Sequence, residues 1–214
     1  MKSSRASIAL IVLLTTTAIQ AAKVDMRDPR RAVGREDDVR VDAELAQDSV
    51  SMHSKLGVVF QIQNLTPSPI AIADKISDAT YDAETQTITV SFGAEVPDGE
   101  TMPHLVVIPS GEKKTFRGIS AINIQMPNIR SPFIAVPHFV QIKVTILRDL
   151  QPFARLIEQQ NKTAAAPTLS NEAFDRWVDS VASVFLNLIP VRWEGKTRND
   201  NGVDAEQSQP GAQF

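Results

Sequence analysis

Period-two alternation of apolar and polar residues runs from about residue 40 to 149. Phe60-Gln61-Ile62-Gln63 and Thr87-Ile88-Thr89-Val90-Ser91-Phe92 alternate without a break. Near the end of the region Val140, Ile142, Val144 and Ile146 face one way, and Gln141, Lys143 and Thr145 the other. Such alternation marks strands with one face on a core and one in water. Turn residues punctuate them at Thr66-Pro67-Ser68-Pro69, Asp82-Ala83-Glu84-Thr85 and Pro109-Ser110-Gly111-Glu112. The predicted strands are 40–45, 56–65, 69–74, 78–82, 86–92, 105–109, 114–122 and 138–148. Eight short strands with no helix between them imply an antiparallel β-sandwich.

After Asp149 the period becomes helical. Pro152 suits a first helical position, and Phe153, Leu156 and Ile157 line one side of a predicted helix over 152–161. Lys162 to Pro167, with its Ala-Ala-Ala-Pro, reads as a linker. A second helix is predicted over 170–189, with Ser170 as N-cap, Glu172 in the first turn, and Leu169 and Phe174 as a hydrophobic staple. Phe174, Trp177, Val178, Val181, Phe185 and Leu188 form its apolar stripe, and Pro190 ends it. Such a stripe must be covered. Docking on the sandwich is the favoured expectation; if it is left uncovered, Phe174, Trp177, Val181 and Phe185 become a binding surface. The expected class is therefore mainly β, α+β overall.

The turns carry a resemblance. Asn64-Leu65-Thr66-Pro67-Ser68-Pro69-Ile70, followed by Ile108-Pro109-Ser110-Gly111-Glu112-Lys113-Lys114-Thr115-Phe116, resembles bacterial exported immunoglobulin-like domains over about 40–149. Those domains often place an Asn-rich turn before Pro-Ile and a Pro-Gly-Glu turn before an aromatic strand. Ser110 departs from the pattern, standing where a second Pro is common. The resemblance implies a fold and no activity.

Outside this region the chain is polar or basic-apolar. Lys2 and Arg5 precede the apolar run Ile8 to Leu14, and small residues follow at Ala21 and Ala22. This is the three-part pattern of a secretory signal peptide over 1–22, and it predicts a periplasmic or secreted protein. Residues 23–39, dense in charges of both signs, are expected to be a disordered lead, and 195–214 a disordered tail.

The 214 residues include 22 Lys+Arg, 25 Asp+Glu, three His and no Cys. Without Cys there is no disulfide scaffold, thiolate nucleophile or iron–sulfur cluster. Removing Lys2 and Arg5 with the leader leaves 20 basic against 25 acidic residues, which argues against nucleic-acid partners. No later stretch is apolar enough for stable membrane insertion.

Catalytic motifs are absent. Gly118-Ile119-Ser120-Ala121-Ile122 begins like a nucleophile elbow but has Ile122 in place of the second Gly. Gly195-Lys196-Thr197 resembles the end of a phosphate loop, yet no strand leads into it. Asp74, Asp78, Asp82 and Glu84 lack the spacing of a calcium loop. One constellation remains. Met52-His53 and Met102-Pro103-His104 lie in predicted loops, Met126 in a third, and His138 opens the last strand. If consecutive strands alternate in direction, all six share one pole, where imidazole and thioether suit copper. If 69–82 is one bent strand, the pole breaks up.

The leading expectation is a non-catalytic exported module that contacts protein or peptide partners and carries no cofactor. A periplasmic copper-type binding protein and an enzyme whose site forms only in three dimensions are the alternatives.

Overall fold

The structure is a computed structural model, and it describes residues 28–77, 79–122, 135–163 and 165–194. The expected leader, the tail, Gly195-Lys196-Thr197, Asp78 and Met126 lie outside the described residues.

The chain is mainly β. The first sheet contains β1 (Arg31–Glu36), β2 (Val39–Leu45), β4 (Lys55–Asn64) and β9 (Lys113–Ala121), in the order β1-β2-β4-β9 and antiparallel throughout. The second contains β5 (Ile70–Ala73), β6 (Thr80–Asp82), β7 (Thr87–Phe92), β8 (Leu105–Ile108) and β10 (Phe139–Leu147), ordered β6-β7-β10-β5-β8. β11 (Val181–Phe185) and β12 (Ile189–Pro190) also pair with β10. A parallel pair joins β3 (Ser49–Val50) to β13 (Arg192–Trp193). The eight strands expected from alternation are all present as β2 and β4 to β10.

The inward rows of the two sheets meet in one core. Val39, Val41, Phe60 and Ile62 come from the first sheet, and Ile88, Val90, Val140 and Ile142 from the second, all fully buried. Phe60 stacks on Phe92 with ring centroids 4.7 Å apart, a geometry that adds to area burial. The sheets also touch along both sides. A Cβ on Gly34 of β1 would lie 2.6 Å from the Phe185 carbonyl oxygen, so only Gly lets β1 come this close to β11. On the opposite side Ser120 Oγ donates to the Ser77 carbonyl at 2.8 Å.

The two turns behind the immunoglobulin-like resemblance meet at one end of the molecule. Asn64 is fully buried. Its Nδ2 donates to the carbonyls of Ser68 (2.9 Å) and Ile108 (3.0 Å), and its Oδ1 accepts from the Thr66 N–H and hydroxyl. Every hydrogen-bonding position of the side-chain amide is used, which is what burial demands.

Three expectations need correction. Part of the lead is ordered, because β1 pairs with β2 around a turn at Asp37-Asp38. Its inward residues are Ala32 and Gly34, too small to register as a hydrophobic period, and an Arg31–Glu44 ion pair at 2.7 Å ties its outer face. The second predicted helix is shorter than 170–189. As α2 it covers Asn171–Ser180, with Ser170 Oγ accepting the Ala173 N–H, and Val181–Phe185 then turns into β11. Val-Ala-Ser-Val-Phe fits both periods, and pairing five residues with β10 satisfies a row of backbone groups that a longer helix would leave open.

The third correction concerns direction. β5 is antiparallel to β10, β6 is antiparallel to β7, and β7 is parallel to β10. β5 and β6 therefore run the same way, with Ile76 bridging Phe92 between them. Residues 70–82 behave as one bent strand, so alternation of consecutive strands fails at this point.

Candidate binding face

The outward face of the second sheet divides into a covered and an uncovered half. Toward the Leu147 end, Ala71, Ala73, Leu105 and Leu147 lie beneath a helical cap. The cap begins with a 3-10 turn at Gln151–Phe153, continues as α1 (Ala154–Lys162) and closes with α2. Phe153 and Trp177, both fully buried, meet edge to face at 5.5 Å. Trp177 Nε1 donates to the Ala94 carbonyl at 3.2 Å, so the ring's one polar atom is satisfied. Met102 and Leu169 complete this second core.

The other half is open. Register places Phe139, Gln141 and Lys143 of β10 beside Thr89 and Ser91 of β7, with Phe185 of β11 opposite Lys143. Phe185, the last residue of β11, is 55% exposed although it is a large aromatic on a sheet face. Lys143 Nζ sits 5.3 Å from the centre of its ring, within cation–π range. Lys143 also pairs with Glu95, to which Ser183 Oγ donates at 3.3 Å. The hydrogen bond from Lys143 holds the Glu95 carboxyl below its ordinary range, against the opposing pull of partial burial.

Glu95 belongs to the loop 93–98 that marks the border between the halves. Gly93 starts this loop at a φ of +94°, and a Cβ there would lie 2.4 Å from the Thr145 carbonyl oxygen. A cleft of about 270 Å³ opens beneath the loop, lined by Lys75, Ser77, Ser91, Glu95, Asp98 and Thr145. Its charges are paired, Lys75 with Asp98 and Lys143 with Glu95. The half-face thus offers an exposed aromatic, hydroxyls and a carboxamide to a partner, with a cation held at its centre.

The residues expected to matter are dispersed. His138 immediately precedes β10, and its N–H donates to the Gln86 carbonyl at 2.9 Å. His104 precedes β8, whose Leu105 pairs with Ala73 toward the Leu147 end of β10. His53, beside exposed Met52, lies before β4 in the other sheet. Met102 is buried in the second core beside Trp177. No group of His, Asp and Glu suited to a metal ion forms among the described residues. Ser120 is buried in the seam between the sheets, with its hydroxyl committed to Ser77.

Of the helix stripe, Trp177 is buried and Phe174 and Val181 are half-buried, whereas Phe185 points outward from a strand. The stripe is therefore covered within the chain at Trp177 and partly at Phe174 and Val181, whereas Val178, Phe185 and Leu188 are exposed. Lys143, Glu95 and the loop 93–98 had no signal as site residues in the sequence. The pairing of β11 with β10 is what brings them to Phe185. Among the described residues no helix is long and apolar enough to cross a membrane. No family model, curated protein or solved structure matches the chain.

Proposed function

We propose that this chain is a non-catalytic accessory module of the bacterial envelope, exported by its N-terminal leader, with an immunoglobulin-like sandwich as its body. It binds a protein or peptide partner through the uncovered half of the second sheet. The observation that carries this reading is Phe185, more than half exposed on β11, whereas Trp177 and Val181 of its predicted stripe pack into the second core. An aromatic on a fixed backbone with polar neighbours is a common form of interface anchor, because little side-chain entropy is lost on contact. The Asn64 turn, packed against the Pro109 to Glu112 turn, favours the sandwich assignment.

Immobilised chain starting at Lys23, screened against a displayed peptide library, tests the reading. Selected peptides should lose at least tenfold in affinity for Phe185→Asp, while that variant melts within a few degrees of the parent. Selected peptides that bind both proteins equally would move the partner off this face. Intact-mass measurement of protein recovered from the envelope or medium should show a start at Ala22 or Lys23. Recovery of full-length chain from the cytosol alone would overturn export.

A further inference from the structure

A different feature, on the far side of the helical cap, concerns the edge of the second sheet. β8 is the outermost strand there, and edge strands present unpaired backbone groups that other chains can join. One helix side chain meets this edge in a specific way. Gln160 of α1 accepts the Leu105 N–H at Oε1 and donates from Nε2 to the Leu105 carbonyl, both at 2.9 Å. An antiparallel neighbour makes the same two bonds with a hydrogen-bonded residue. The side-chain amide thus occupies the place of a peptide group from an incoming strand.

The ground around that place suits an extended chain. Leu105 directs both backbone groups away from β5, so Val107, two residues on, directs its own outward as well. Among the described residues no hydrogen bond fills that second position. Leu105 and Val107 pack into the second core, whereas Val106 and Ile108 pack into the main one. A strand added to β8 would therefore find apolar surface for alternate side chains on both of its faces.

The cover is also lightly attached. α1 has no buried residue of its own and leans on the second core only through half-buried Leu156 and Ile157. Firm attachment lies outside it, at fully buried Phe153 before the helix and at two backbone bonds after it, Met102 to Pro167 and Leu169 to Glu100. The two anchors leave α1 itself without a fully buried side chain.

We propose that the outer edge of β8 is a strand-addition site for an extended, uncharged, apolar peptide, and that Gln160 closes it in the free protein by standing in for the peptide's first amide. Affinity would come from backbone bonds and selectivity from the two apolar grounds, as in other cases of β-augmentation.

The full chain is tested with a synthetic peptide of the sequence Ser68 to Ala73, blocked at both ends. That segment includes β5, which already pairs with the other edge of β8. Gln160→Ala should bind the peptide at least tenfold more tightly than the parent. Without peptide, the variant's Leu105 amide should exchange hydrogen at least tenfold faster, and peptide should restore protection. Peptide N-methylated at alternate residues, in the phase that faces β8, should not bind. Gln160→Glu, which accepts the N–H but cannot donate to the carbonyl, should fall between parent and Gln160→Ala, and it provides the test if the alanine variant melts early. Equal affinity for parent and both variants would overturn the proposal, as would undiminished binding of the N-methylated peptide. A dimer of Gln160→Ala in the absence of peptide would assign the edge to a second copy instead.

Discussion

The covered and open halves of one sheet face share two strands, β10 and β11, yet they hold their aromatic residues in opposite ways. β11 contributes to both. Val181 at its start packs under the cap, while Phe185 at its end, on the same side of the strand, stands in solvent. Propensity and pattern do not differ between these positions; what differs is how far the cap reaches. Trp177 Nε1 on the Ala94 carbonyl marks the limit of the cap, and the loop opened by Gly93 begins the uncovered region. Exposure in this protein is thus set by tertiary reach, and a residue's hydrophobicity alone does not indicate which side of the border it occupies.

The comparison is broken most forcefully at Trp177. Trp177→Ala removes the largest side chain of the second core, which it shares with Phe153, Met102 and Leu169. A cost of about 3–5 kcal/mol is expected from lost burial and the cavity left behind. Denaturant unfolding would measure it. A cost below about 1 kcal/mol would mean that the cap does not depend on this ring.

Gly93 comes next, since it draws the border. At a φ of +94° any side chain is strained, and this one would also strike the Thr145 carbonyl. Gly93→Ala should cost about 1–3 kcal/mol and should displace the loop that carries Glu95. Hydrogen exchange at 94–98, faster in the variant, would report that displacement; unchanged exchange would show that the loop is held from elsewhere.

How far the border could be read beforehand differs by element. The longer strands were legible where large apolar residues alternate with polar ones, as in Leu56, Val58, Phe60 and Ile62 of β4, and β5 and β8 as short apolar runs bounded by turn residues. β1 was not, because Ala32 and Gly34 carry almost no hydrophobic signal and their burial follows from close approach to β11. The Ser170 cap was legible from local chemistry, but the end of α2 was not. Val181 to Phe185 satisfies a helical and a strand period alike, and a vacant edge of β10 decided between them. The same gap hid the site. Lys143 was identified as an outward strand residue, whereas its neighbours Phe185 and Glu95 depend on β11 and the Gly93 loop. The proposed histidine pole rested on strand direction, which is a property of pairing; the bend across 70–82 removed its basis.

A smaller effect sharpens the open half. Phe185→Ala deletes an aromatic of the same class as Phe153, but one with its ring mostly in water. The loss should stay within about 1 kcal/mol, the size of an exposed cation–π contact with Lys143. Set beside Trp177→Ala, this tests whether the two halves differ in energy as they do in geometry. A cost of about 3 kcal/mol or more would mean that Phe185 is part of the core after all.

The smallest expected effect lies on the border itself and depends on pH. Glu95 has its carboxyl held below the ordinary 4.5, first by the hydrogen bond from Lys143, with burial opposing. A carboxyl with a depressed folded value stabilises the fold fully above its unfolded value, and that contribution fades as pH falls through the folded one. Glu95 keeps 53% of its side-chain surface, against 18% for Lys143, so screening at the carboxylate limits the pair to under about 1 kcal/mol. Thermal melts of the parent and of Glu95→Gln should therefore differ by a constant small amount from pH 7 to about 5. The difference should shrink below that range, and at pH 7 in 1 M salt, where charge attraction is screened. A difference that grows on acidification would reverse the sign of the contribution and remove Glu95 as the tie between loop 93–98 and the open face.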